Sequence, residues 1–319
     1  MTSLTVLGDW RRGKRIVQYP TVGQPMQGEA VARRRGLILV SIATALWSSA
    51  GLFARALDHL DVWTVLAGRG AFGALFMFCA AIVEWRRGEL GPRFGLGSKL
   101  APLIVLFAAG AMTAYIAALR LTSVAEVMAI YATVPFVTAG LAFVLVGERI
   151  PRRTLAAAGL ALVGVLVMVG GDVGAGRLAG QTLSFGMTIC FALMVVAQRR
   201  HREMSLTSIN ALGALVSAIT AFSLAPHERI EMPDLFTLAV FGLTTICVAF
   251  LMFMKGAKNI PAAESALISV AEVVLGPLWV FFVFGENPGL PAIVGGALVL
   301  IAVGWRMAPE RAAARATAR

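Results

Sequence analysis

Long unbroken apolar runs, separated by short polar connectors, recur along the whole chain. Ten of them lie near 37–55, 62–84, 100–119, 123–146, 154–171, 180–198, 207–225, 235–254, 262–284 and 291–308. A helix needs about 20 residues to cross a hydrocarbon core of about 30 Å, and each run is long enough. None alternates apolar and polar residues as a barrel strand does, and lipid cannot satisfy a free backbone N–H or C=O. The pattern predicts an all-α integral membrane protein of ten transmembrane helices, with little chain left for a soluble domain.

The same pattern repeats itself. Residues 123–171 and 261–307 each hold two apolar spans joined by a polar turn. A shift of 138 positions lays Ala125-Glu126 on Ala263-Glu264 and Gly147-Glu148 on Gly285-Glu286 without a gap. Coincident aliphatic residues mean little in such a chain, but two coincident acids in so few indicate a duplicated unit. Five spans per copy is an odd number, so the second copy enters the membrane upside down relative to the first. Inverted repeats of this kind build many secondary transporters, where two pseudosymmetric halves exchange roles as gates. The predicted organisation is a basic tail at 1–36, a first repeat at 37–174, a second at 178–308 and a tail at 309–319.

Composition agrees with a membrane chain. Apolar residues make up 58% and charged ones 14%, against roughly 25% charged in soluble domains, and mean hydropathy is +0.81. The net charge of +11 suggests nucleic acid until its distribution is read. One set of connectors and both tails carry 23 Lys and Arg, whereas the alternate connectors carry Arg55, Arg120, Arg177 and Arg229, and Arg69 lies within a span. Basic residues favour the cytoplasmic side, which predicts an inner-membrane protein with both termini cytoplasmic and no nucleic-acid partner. Residues 1–36 lack the apolar core of a signal peptide, and Met26 is an alternative start. Cys79, Cys190 and Cys247 all lie in apolar runs and offer neither a disulfide framework nor a metal-ligand cluster.

The run Tyr115-Ile116-Ala117-Ala118-Leu119-Arg120, then Thr122 to Glu126, Pro135, Gly147-Glu148-Arg149 and Gly159 to Gly164, resembles the EamA unit of the drug/metabolite transporter superfamily. The second copy supplies Gly256-Ala257-Lys258, Ala263-Glu264, Gly285-Glu286 and Gly295-Gly296, and Trp47-Ser48 resembles the signature opening such units. The resemblance covers about 37–308. It implies ten helices in two inverted five-helix repeats, a central cavity, and export of small metabolites or amphiphilic compounds. The copies depart at Pro277, one turn beyond the position matching Pro135, and near Phe191, which stands where Trp47 stands in the first.

Several residues carry chemistry that a bilayer discourages. Glu272 lies near the middle of the ninth span, where an ionised acid costs several kcal/mol unless paired or hydrated. Spacing puts Glu264, Ile268 and Glu272 on one helix face, bordered by Ser265, Ser269 and Gly276. Arg69 is the sole base in the interior of a span, Arg55 and Arg306 lying at span ends. Two readings of Arg69 and Glu272 stand side by side: a static ion pair between helices, or a cavity role in which Arg69 meets a substrate carboxylate or Glu272 takes up a proton. Tyr115 and Tyr131 each need a hydrogen-bond partner inside a membrane and are candidate lining residues, as are Trp47 and Ser48. Glu126 completes Ser-x-x-Glu at a helix start, and Glu264 sits in a first turn after Pro261. Each is either a capping acid or one of two gates at opposite mouths. Pro135 and Pro277, with Gly276, are candidate hinges. Ala157-x-x-x-Ala161 and Ala292-x-x-x-Gly296 suit scaffold or homodimer contact.

His59, His201 and His227 form no metal motif, and no phosphate loop or nucleophile elbow occurs, so no enzyme chemistry, cofactor or metal is expected. The reading is a secondary transporter of small metabolites such as amino acids, working by alternating access, with proton exchange or facilitated diffusion both open. An exporter of lipophilic cations is the alternative, with a membrane scaffold or enzyme further behind.

Overall fold

The computed structural model describes residues 27–90, 95–147, 152–169, 175–201, 204–226, 229–260 and 262–307. Its elements are helical: α1 (Gln27–Ser48), α2 (Ala50–Ala56), α3 (Val62–Arg86), α4 (Ala101–Leu121), α5 (Val124–Tyr131), α6 (Val134–Val146), α7 (Arg152–Val169), α8 (Ala175–Arg200), α9 (Leu206–Leu224), α10 (Met232–Phe241), a π-helical segment (Gly242–Val248), α11 (Ala249–Ala257), α12 (Ala262–Phe284) and α13 (Gly289–Met307). Among the described residues, seven helical stretches are long and apolar enough to cross a membrane, and Ala271–Phe284 and Gly289–Trp305 are shorter apolar helices. Their outward faces carry large bare side chains such as Leu75, Leu162, Ile219 and Phe282, as lipid-facing surfaces do.

Polar punctuation sets the helix ends. Asp61 starts α3 by accepting the backbone N–H groups of Trp63 at 2.8 Å and Thr64 at 3.4 Å, and Ser123 and Ser205 cap α5 and α9 in the same way. At the far ends of α6 and α12, Gly147 (φ +75°) and Gly285 (φ +66°) adopt the left-handed conformation that only glycine takes freely. Their N–H groups donate to Phe143 and Phe281 across the same distance, 3.0 Å. These two glycines are 138 positions apart, so the duplicated turn has a duplicated geometry.

The helices pack with a matching symmetry. Contact of α4 with α8 is mirrored by α1 with α11, α4 with α9 by the π segment with α3, and α5–α6 with α8 by α12 with α1–α2. Among the described residues three contacts join equivalent helices directly, α3 with α9, α7 with α13 and α5 with α12. In the first two the chains run antiparallel. Gly70 packs on Ala214 and Ala218, while Ala74 and Met77, further along α3, share a cluster with Ala211. Arg153 at the start of α7 donates to the Trp305 carbonyl near the end of α13, and Gly164 meets Gly295 and Val299.

The expected prolines behave differently. The fourth span is divided: α5 ends at Tyr131 and α6 begins at Val134, which places Pro135 in a first turn rather than a helix interior. Pro135 has no N–H to offer the Tyr131 carbonyl, and the chain turns on Ala132 and Thr133, the latter donating to Ile130 at 3.0 Å. Pro277 instead sits inside an unbroken α12. Two further interruptions carry no proline. The first span breaks at Ser49, between α1 and α2, and the eighth widens into the π segment.

Candidate functional site

Four helices bring the membrane-embedded polar residues together. Arg69 on α3 is 6% exposed. Its Nη2 donates to Thr245 Oγ1 at 3.3 Å, its guanidinium lies 4.7 Å from the Phe241 ring centroid, and its Nε has no hydrogen-bond partner among the described residues. Glu272 on α12 is 7% exposed. Among the described residues it forms neither a hydrogen bond nor an ion pair, and none joins it to Arg69. The static Arg69–Glu272 pair is therefore absent: the guanidinium is directed at the π segment instead. Tyr115 on α4 lies within electrostatic reach of both Arg69 and Glu272, and Tyr131, at the end of α5, within reach of Glu272.

An aromatic wall flanks the cluster. Trp47 stands 5.2 Å from Phe253 and donates its indole N–H to the Thr245 carbonyl at 2.9 Å. Tyr131 meets Phe191 edge-on at 5.7 Å. Ser48 is buried and accepts the Trp279 indole N–H at 3.0 Å while donating to the Ala45 carbonyl. Ser269 donates to the Ser265 carbonyl of its own helix at 3.0 Å, so its hydroxyl is already engaged. Gly276 faces Met128 and Val124, where α12 and α5 meet. Thr245, Phe241, Phe253 and Trp279 have no sequence signal apart from lying in apolar spans.

Glu126 lies elsewhere, in a layer of charge at one end of the bundle. It is completely buried. Arg177 on α8 donates to its Oε1 through Nε at 2.7 Å and also through Nη2, while Thr122 and Gln181 donate to Oε2. Only the N-cap half of the Ser-x-x-Glu box is seen among the described residues, with Ser123 Oγ accepting the Glu126 N–H at 3.3 Å. A second bridge crosses the other way: Arg55 Nε donates to Glu286 at 2.6 Å, and Val124 N–H to the same carboxylate at 3.4 Å. Thus an acid from each half meets an arginine from the other. Arg120 sits beside them, capping the Leu57 and Asp58 carbonyls, each at 2.9 Å. A cavity of about 450 Å³, lined by Arg55, Thr122, Ser123, Arg177, Glu286 and Asn287, opens on this face. The sequence offered one clue to these arginines, their rarity in the connectors of that side. Glu264 lies in α12, but its side chain is outside the described residues, as are Glu148, Arg149 and Pro261.

Both halves of the chain, residues 34–170 and 178–305, match the EamA-like transporter family. The chain belongs to the EamA-like transporter family. An uncharacterized transporter of Archaeoglobus fulgidus is 28% identical over 199 residues, spanning 61% of this chain and 72% of that one. A solved crystal structure of 18% identity superposes with a TM-score of 0.60 over 89% of this chain and 99% of the other, which is likeness of fold. Within this transporter, the membrane-embedded cluster and the charged face are two separate polar regions. Among the described residues, one holds ionisable groups without counter-charges, and the other holds acids paired with arginines.

Proposed function

We propose that this transporter is a secondary carrier of small zwitterionic metabolites such as amino acids, exporting them across the inner membrane by alternating access. The carrying observation is the pair of buried, unmatched groups, Arg69 Nε and the Glu272 carboxylate, between aromatic walls. A buried charge without a partner costs several kcal/mol, and a solute bearing one carboxylate and one ammonium supplies both partners at once. Ten helices in two inverted halves frame the site in this reading, with both termini cytoplasmic. The antiparallel run of α3 against α9 and of α7 against α13 supports the inversion, and the Lys and Arg distribution supports the orientation.

On that orientation the Arg177–Glu126 and Arg55–Glu286 bridges close the outer mouth, as one acid and one arginine from each half. Glu126 then acts as an outer gate residue, and its repeat counterpart Glu264 stands at the inner mouth. The chain turns at 132–133 and at Ser49, with Pro277 and Gly276 in α12, supply the bending points. A second reading, export of lipophilic cations, draws on the same unpaired Glu272 and on Trp47, Phe253, Tyr131 and Phe191. The two differ at Arg69, which a cation does not need.

Purified protein in vesicles tests both. L-Alanine, L-leucine and L-phenylalanine are compared with tetraphenylphosphonium, with and without an imposed pH difference. Loss of amino-acid flux in both Arg69→Gln and Glu272→Gln, by about 10- to 100-fold for one charge-assisted contact of 1.5–3 kcal/mol, supports the zwitterion. Flux of the cation that survives Arg69→Gln replaces it with the second reading. Flux of either that survives Glu272→Gln sinks both.

A further inference from the structure

One residue touches both Arg69 and Trp47. Thr245 is 4% exposed. Its hydroxyl accepts from Arg69 Nη2 at 3.3 Å and donates to the Phe241 carbonyl at 2.7 Å, and its own carbonyl accepts the Trp47 indole N–H at 2.9 Å. The carbonyl is free to do so because residues Gly242–Val248 are π-helical. A π turn bonds i to i+5 and holds one more residue than an α turn, which displaces carbonyls from the regular ladder.

The surroundings fix this widened turn against its neighbours. Phe241, one residue before it, is fully buried, stacks on Phe53 at 4.8 Å and carries the Arg69 guanidinium on its ring face. Gly242 lies so close to α3 that a Cβ would stand 2.6 Å from the Arg69 carbonyl and 2.7 Å from the Gly73 nitrogen. Only glycine permits that approach. The π segment is thereby registered to α3 through Gly242 and Arg69, and to α1 through Trp47. The equivalent span of the first repeat, α4, is an uninterrupted α-helix, so the device belongs to one half alone.

We propose that Thr245 is the positioning residue of the solute site, and that the π turn carrying it sets Arg69 and Trp47 in place together. Its relaxation to α geometry would withdraw the Thr245 carbonyl from Trp47 and carry the hydroxyl away from Arg69. Both would then lose their anchor in one step. The inference rests on the reading of Arg69 and Trp47 as site residues, but its test needs no solute.

The test uses the full chain in lipid nanodiscs with Cys79→Ser and Cys190→Ser, leaving Cys247 of the π segment as the one thiol. Two signals are followed: Cys247 labelling by N-ethylmaleimide, and the emission of Trp47, taken as the difference from Trp47→Phe. Thr245→Val should raise the labelling rate severalfold and change the Trp47 emission, and Thr245→Ser should restore both. Deletion of Leu243, which removes the extra residue while keeping α10 and α11 in register, should leave the protein folded by thermal unfolding and shift Trp47 emission to the red. Labelling and emission unchanged in Thr245→Val would overturn the proposal, as would failure of Thr245→Ser to rescue. If Leu243 deletion abolishes folding, the Val and Ser pair alone decides. Failure of the solute assay with these signals intact would sink the transport site and leave the clamp standing.

Discussion

Glu126 and Glu272 are the same residue type at nearly the same depth of burial, 0% and 7% exposed, yet their surroundings are opposite. Glu126 receives a guanidinium, a hydroxyl and an amide. Glu272 receives no hydrogen bond or counter-charge from the described residues. A buried acid that is matched on every lone pair has been recruited to hold helices together. One left unmatched within an apolar span is a standing cost that a bound proton or solute offsets. The contrast predicts that mutation will separate stability from transport cleanly between the two.

The largest effect is expected at Glu126. Replacement by alanine removes the carboxylate that Arg177, Thr122 and Gln181 all donate to. Breaking a buried pair costs 3–5 kcal/mol, and because Arg177 is 28% exposed the loss should be about 2–3 kcal/mol by the same principle. Reversible unfolding in detergent measures it, and a loss under about 0.5 kcal/mol would mean the network is ornamental. Glu272→Gln is the converse. Unfolding should move by no more than about 0.5 kcal/mol, or toward greater stability, while flux collapses. If Glu272→Gln unfolds as readily as Glu126→Ala, the contrast between the two acids is wrong.

Arg55–Glu286 comes next. Its side chains are 19% and 24% exposed, so solvent weakens it and a double-mutant cycle should return about 1 kcal/mol or less, falling as salt is raised. Its value lies in kinetics. Glu286→Gln should let a membrane-impermeant maleimide reach a cysteine placed at Val124, buried beside the Glu286 carboxylate, faster, with little change in unfolding. Unchanged labelling would remove this bridge from the outer gate.

Much of the fold and part of the site were legible in the residues. Ten apolar runs, a 138-residue shift and two Gly-Glu turns specify a duplicated helical membrane protein, because lipid permits few alternatives and because glycine at Gly147 and Gly285 marks the same left-handed end twice. Arg69 and Glu272 stand out since a charge in an apolar run is rare. What they touch did not, since contacts across α3, α12 and the π segment depend on packing that no local pattern encodes. Glu286 resembles an ordinary turn residue in sequence, and its partner Arg55 lies 231 positions away. The π segment is equally silent: Gly-Leu-Thr-Thr-Ile-Cys-Val is as compatible with an α-helix.

The smallest effect is expected at Ser269, where helix spacing and hydrogen bonding give different answers. Spacing sets it one turn from Glu272 on the polar side of α12, which made it a lining candidate. Its hydroxyl donates to the Ser265 carbonyl at 3.0 Å, the habit of a serine inside an apolar helix, where the backbone is the nearest acceptor. Ser269→Ala removes that bond without orphaning a strong donor, so unfolding should shift within about 0.5 kcal/mol and flux should stay near wild type. At the repeat-equivalent position stands Tyr131, which instead packs edge-on against Phe191 and lies within reach of Glu272. Tyr131→Phe should therefore lower flux where Ser269→Ala does not. An equal response from the pair would mean that the two halves line the site alike, and that the asymmetry between them is confined to Arg69, Glu272 and the π turn.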